Sequence, residues 1–255
     1  MSAPAPRWLA AWPYVAAASV VLLAWQLVVL TTHPSQAVLP TPGETLRTLW
    51  SLALSGQLWV DAGASLGRVL VAWMLGAVVA VPLGLLQGVH PRLRRVLEPL
   101  FELFRPISPL AWIPMAILWF GVGETGKIFI LFIATFFPIL LNTLSGVQGV
   151  DPVLVRAGRV LGCDNDARLF RRVILPAAMP QILVGLRVAF GTGWAAIIAA
   201  ELVAANKGLG YLISNGMEIL RSDQVLAGMI VIAVLGLLID TAFRRLGRCL
   251  GVEDS

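Results

Sequence analysis

Few residues in this sequence have the types and spacing to do chemistry. Gly63-Ala64-Ser65-Leu66-Gly67 fits the Gly-x-Ser-x-Gly elbow, which lifts a nucleophilic serine out of a strained strand-to-helix turn beside a histidine base. An intramembrane serine protease using Ser65 is one reading of it. The sequence holds two histidines, His33 and His90, predicted on opposite sides of a membrane, so Ser65 lacks a base to take its proton. Small residues at this spacing are expected instead to let helices pack closely. Gly121-Val122-Gly123-Glu124-Thr125-Gly126-Lys127-Ile128 approaches the loop that cradles nucleotide phosphates, but Ile128 stands where a Mg²⁺-binding Ser or Thr is needed. A tight turn between two spans accounts for its glycines. His33, His90, Cys163 and Cys249 have no second ligand at metal spacing, so no metal site is expected.

What must hold these residues is a membrane bundle. Of 255 residues, 58% are hydrophobic and 13% charged, with a mean hydropathy of +0.84. Soluble domains carry about 25% charged residues, which excludes a water-soluble globule. The net charge of +5 lies in short clusters between long uncharged runs, a topological pattern rather than a nucleic-acid footprint. A crossing needs about 20 apolar residues. Six runs meet this: residues 9–30, the interval from Arg68 to Arg92, a shorter one from Arg105 to Glu124, Lys127 to Asp151, about 182–204, and Asp223 to Asp240. The first is longer than a signal-peptide core and is read as a retained span. With a cytoplasmic N-terminus, only Arg47, Arg68, Lys127, Lys207 and Arg221 of the 19 Lys and Arg fall outside, so both termini are expected in the cytoplasm.

Two segments outside the spans are predicted to be helical. Thr41-Pro42-Gly43-Glu44 reads as a capping box that opens an amphipathic helix on the outer surface, with Leu46, Leu49, Trp50, Ala53 and Leu54 on one face and Trp50 and Trp59 near the headgroups. On the cytoplasmic side, residues 148–181 form the largest polar insertion. Asp151-Pro152 starts a helix, Leu154, Ala157 and Leu161 make an apolar stripe, and Gly162 ends it in a left-handed conformation. A second short helix is expected from Asp164 or Asn165, stopping before Pro176.

This loop resembles the cytoplasmic signature of the membrane subunits of bacterial ABC importers: Glu-Ala-Ala, three residues, Gly, nine residues, then Ile-x-Leu-Pro. Here Arg156-Ala157-Gly158-Arg159-Val160-Leu161-Gly162 is followed by ten residues and Val173-Ile174-Leu175-Pro176. Arg156 takes the place of the Glu, Gly158 that of the second Ala, and the spacer is one residue longer. The resemblance covers about residues 40–250 and is nearest the nitrate/sulfonate/taurine branch. Ser65-Leu66-Gly67-Arg68-Val69, Ile117 through Glu124, Phe137-Pro138-Ile139, Leu175 through Pro180, Ala200-Glu201 and Gly208-Leu209-Gly210 carry it. It implies an all-α polytopic bundle of about six transmembrane helices in the bacterial inner membrane. The division is an N-terminal span and outer linker (1–40), a permease domain (41–250) and a cytoplasmic tail (251–255). Arg156, Ala157, Gly158, Arg159, Gly162, Leu175 and Pro176 would belong to coupling helices seated in a groove of a separate ATP-binding subunit. That partner would bind ATP and Mg, leaving no cofactor on this chain. A homodimer would form the pathway, and an extracytoplasmic solute-binding protein would deliver an oxyanion such as a sulfonate, taurine or nitrate.

Glu201 falls near the outer end of the fifth span. A charged residue at a helix centre in lipid costs about 2.5–3.5 kcal/mol, so Glu201 is expected to face the bundle interior or water. Two roles stay open. With Thr192, Trp194 and Asn206 it lines or gates the outer part of a route, or it holds a neighbouring helix by a structural hydrogen bond.

Overall fold

The computed structural model describes residues 7–35 and 37–249, so the expected tail at 251–255 lies outside the described residues. Among these residues the chain is helical and no strand forms. α1 (Arg7–Thr32) carries the first expected span, and its Trp25 indole donates to Pro40 O at 3.1 Å. α2 (Pro42–Leu54) begins as the sequence implies. Glu44 N–H donates to Thr41 Oγ1 (3.2 Å) and Thr41 N–H to Glu44 Oε2 (2.9 Å), which closes the capping box. Thr45 and Thr48 form its buried face, while Leu46, Trp50 and Leu54 are exposed, as is Trp59 beyond it. That is the disposition of a helix whose apolar face meets lipid.

α3 (Gln57–Val89) starts well before Arg68, the expected edge of the second span. The charges of Asp61 and Arg68 do not end it because both side chains are buried among protein groups rather than lipid. The third expected span is not a single rod. α4 (Pro91–Phe104) meets the stretch Pro109–Phe120, a 3-10 turn followed by α5 (Ile113–Phe120), at an angle of 80°. Pro106 and Pro109 cannot donate to a helix ladder; Arg105 keeps helical angles before Pro106, but Pro109 biases the residue before it toward extended backbone. Ser108, with ψ 135°, shows the effect.

α6 (Glu124–Gln148) returns through the membrane, and α7 (Pro152–Val160) lies beyond its end. α8 (Asp166–Leu169), a π-helical turn at Phe170–Ile174 and α9 (Leu175–Ala204) then run together as one helix, of which Asp166–Val203 counts 38 residues. The expected stop before Pro176 therefore does not occur. In the π turn Leu175 N–H donates to Phe170 O, five residues back, and Pro176 falls in the first turn that follows, where regular α geometry has not yet claimed its missing N–H. α10 (Leu209–Glu218), which the hydropathy pattern does not announce, precedes α11 (Ser222–Cys249).

Among the described residues four helices are long and apolar enough to cross a membrane: Gln57–Val89, Glu124–Gln148, Asp166–Val203 and Ser222–Arg248. The bent pair meets the same test only when taken together, as a broken span or a re-entrant loop, and α1 offers a shorter apolar stretch, Ser19–Thr32, at the first expected span. α3, α6 and α9 form the centre. Ala72, Gly76, Ala80 and Gly84 recur every four residues on α3 and are buried against Thr135, Ile139 and Thr143 of α6. Small residues let the two backbones approach where lipid offers no hydrophobic drive. The expected packing role of Gly63 and Gly67 is not realised in this chain, since a Cβ built at either meets nothing within 4 Å. Edge-on contacts of Trp73 with Phe190 and Phe243, and a tilted one between the two Phe rings, with ring centroids 5.4–6.0 Å apart, join α3, α9 and α11.

Candidate functional site

Three places in the bundle collect the residues that sequence and chemistry single out. The first is the α7–α8 corner. Asp151 Oδ1 accepts from Val153 N–H (2.7 Å) at the start of α7, and Asn165 Oδ1 accepts from Ala167 N–H (3.0 Å) at the start of α8. Between them Gly162 has φ +92°, its N–H donates to Arg159 O, and Cys163 N–H donates to Gly158 O at 3.0 Å. This pair of bonds is a Schellman motif, and it needs the left-handed residue that only glycine supplies without strain. A Cβ at Gly158 would lie 2.8 Å from Val173 Cγ2 and 3.1 Å from Leu169 Cδ1, so the backbone of α7 itself rests on the π turn. The corner is thus rigid although small.

Its apolar tip is unpartnered by this chain, while Arg159 at its side faces Asp166 at 3.9 Å. Val160 and Leu161 are 87% and 84% exposed, and Leu154, Arg156, Ala157 and Arg159 are exposed beside them. Leu175 is half-buried and Pro176 exposed at the junction with α9. A π turn holds one residue more than an α turn. Its position inside the stretch between Gly162 and Pro176 matches the one-residue excess of that spacer.

The second place is a cavity of about 660 Å³ at mid-height, between α6, α9 and the bend that follows α4. Thr192 lines it with its hydroxyl turned back to Ala134 O (3.0 Å) and Ala189 O (2.9 Å). Asn142 lines it too, with Nδ2 donating to Pro138 O (2.8 Å) and Oδ1 accepting from Gln181 Nε2 (2.9 Å). Arg105, at the end of α4, is the one charged residue in the lining. Trp194 is elsewhere, its indole donating to Ile232 O of α11 at 3.2 Å, and Asn206 is exposed in the turn after α9. Of the four residues grouped from sequence with the route, only Thr192 reaches this cavity. Arg105 and Asn142 were not distinguishable by type or spacing, since Arg105 reads as the edge of an uncharged run.

The third place surrounds Glu201, which is 1% exposed. Ser65 Oγ lies 2.8 Å from both of its carboxylate oxygens, Arg68 Nη1 donates to Oε1 (2.6 Å), and Gly210 N–H donates to Oε2 (2.9 Å). Arg68 continues the network through Nη2 to Glu124 Oε1 (2.8 Å) and Nη1 to Lys207 O (2.8 Å). Lys127 Nζ adds a bond to Glu124 Oε1 at 3.2 Å. Leu209 N–H donates to Ser65 Oγ (2.9 Å) and Gly208 N–H to Asp61 Oδ1 (2.8 Å). Asp61, Ser65 and Arg68 stand at i, i+4 and i+7 on one face of α3, a spacing legible in the sequence once the helix is known to begin at Gln57. Together they fasten the start of α10 to α3 and α9.

This geometry disposes of two readings of the sequence. Ser65 is fully buried, with both its donor and acceptor functions committed, and His90 caps the far end of α3, about 37 Å away at 1.5 Å per residue. A protease built on Ser65 has no histidine base and no access for a peptide. Gly121, at φ +73°, makes the expected turn before α6, and Lys127 is buried against Glu124 rather than offered to a phosphate.

The sequence over residues 80–251 matches the family described as binding-protein-dependent transport system inner membrane component. The taurine transport system permease protein of Escherichia coli (strain K12) is 39% identical over 90% of this chain and 85% of its own length. The putative aliphatic sulfonates transport permease protein of the same organism is 37% identical over 97% and 94%. The bicarbonate transport system permease protein of Synechocystis sp. is 34% identical over 86% and 81%. Among solved structures, an inward-facing form of the MetNI methionine ABC transporter aligns with a TM-score of 0.67 at 20% identity, covering 76% of this chain and 97% of that one, a likeness of fold.

Proposed function

Since the chain belongs to the family of binding-protein-dependent transport system inner membrane components and is a permease subunit of an ABC importer, we propose that it passes a small oxyanion, a sulfonate, taurine or nitrate, across the cytoplasmic membrane by ATP-driven alternating access. Two copies enclose the route. A separate ATP-binding subunit holds ATP and Mg and does the hydrolysis, no cofactor sits on this chain, and an extracytoplasmic binding protein supplies the solute. Both termini face the cytoplasm, in keeping with the excess of Lys and Arg on that side. The named relatives carrying taurine and aliphatic sulfonates support the oxyanion class.

The observation that carries the mechanism is the exposed tip of the α7–α8 corner, an apolar knob flanked by Arg156 and Arg159 and held by backbone geometry. An apolar tip without partners in its own chain, rigidly continuous with a membrane helix, is suited to take force from a soluble subunit. When the ATP-binding subunits close, the corner moves with them and the spans reorient as nearly rigid bodies. Leu161→Asp tests this. Such an exposed substitution should change stability by no more than about 0.5 kcal/mol. Uptake should fall to background, and the ATP-binding subunit should no longer co-purify. Full uptake with that variant would refute the assignment of the corner.

A further inference from the structure

We propose that the mid-height cavity is a binding chamber for an organic monoanion with a short alkyl body, and that Arg105 is the residue that selects for the charge. The inference rests on the permease reading above and narrows its solute class. Among the described residues the cations buried or half-buried in the bundle are bound to carboxylates, as Arg68 to Glu124 and Glu201, Lys127 to Glu124 and Arg187 to Asp240. Arg105 is exposed at the edge of the cavity, its guanidinium makes no hydrogen bond or ion pair with any described residue, and no acidic residue lines the cavity with it. Its planar fork is free to take two oxygens of a sulfonate or carboxylate at once.

The remaining walls determine the rest of the ligand. Leu110, Phe137, Leu141 and Val188 present hydrocarbon. The hydroxyl hydrogen of Thr192 and the amide oxygen of Asn142 are already engaged with protein groups, which leaves the Ser108 hydroxyl and the second Nδ2 hydrogen of Asn142 as the polar groups able to meet the anionic head beside Arg105. A space of about 660 Å³ far exceeds what a bare inorganic anion fills, and an alkyl group would occupy the apolar part. One charge-reading residue at the edge of an apolar chamber is the arrangement expected for an amphiphilic anion.

The test is uptake of propanesulfonate by cells producing the full chain with its ATP-binding and solute-binding partners, with the amount of assembled complex measured in each strain. Arg105→Gln should lower the maximal rate about tenfold or more, the loss of one charge-assisted contact, with the half-saturating concentration unchanged because the binding protein sets it. Arg105→Lys should restore most of the rate. Leu141→Asn should lower it as well, by wetting the apolar wall. Wild-type uptake by Arg105→Gln would overturn the role of Arg105, and wild-type uptake by Leu141→Asn would overturn the alkyl requirement, both leaving the permease reading intact. Loss of the assembled complex in both Arg105 variants would make the residue an assembly contact and would also overturn the proposal. A wild-type complex that assembles and moves neither propanesulfonate nor any other oxyanion would instead refute the oxyanion reading on which this inference stands.

Discussion

A carboxylate survives at membrane depth only when protein groups replace its water, and Glu201 does so with a serine, an arginine and a backbone amide. Removing one partner from such a buried pair leaves the other charge uncompensated, which typically costs about 3–5 kcal/mol. Glu201→Ala should therefore lower the melting temperature of the purified chain sharply, while Glu201→Gln, which keeps an acceptor for Ser65 and Gly210, should lower it much less. Equal melting temperatures for both variants and the wild type would contradict this account. From sequence, Glu201 could be placed on the inside of the bundle by the energetics of lipid alone. Its partners could not be identified, because Ser65 looked like half of a catalytic motif and Arg68 like a topological marker. The reason is that a helix extending to Gln57 carries both side chains inward.

Elements with local causes were legible. The Thr41–Glu44 box, the Asp151-Pro152 start and the Gly162 stop each depend on a few adjacent residues, and each took its expected form. The bend after α4 and the π turn were not, because a proline states that the helix must adjust without stating which neighbour gives way. α10 was hidden for another reason, its short alternation of Gly and apolar residues having no span-length signal. The π turn leads to a sharp expectation. Deleting Arg171, exposed within it, should convert the turn to ordinary α geometry and leave ATP-coupled uptake within about twofold. Deleting Gly191 from the middle of α9 should abolish uptake, since every residue on one side would rotate by about 100° relative to the other. Equal damage from the two deletions would show that the π turn does not store the extra residue.

The whole molecule is organised around one rod. The helix from Asp166 to Val203 spans 38 residues, about 57 Å at 1.5 Å per residue. It begins at the α7–α8 corner and ends two residues past Glu201. Coupling between sites is reciprocal, so a change at one end must be felt at the other. Ser65→Ala, which loosens the far anchorage, should raise the number of ATP molecules hydrolysed per solute imported, measured on the assembled transporter. An unchanged ratio would mean that the two ends work independently. The bare tip of the corner has one more consequence, for biogenesis. Val160 and Leu161 offer greasy surface to water, so an orphan subunit made without its companion displays a sticky patch of the kind that aggregates or is recognised for destruction. Balanced synthesis of the two subunits is then a condition for the chain's survival in the cell as much as for its work.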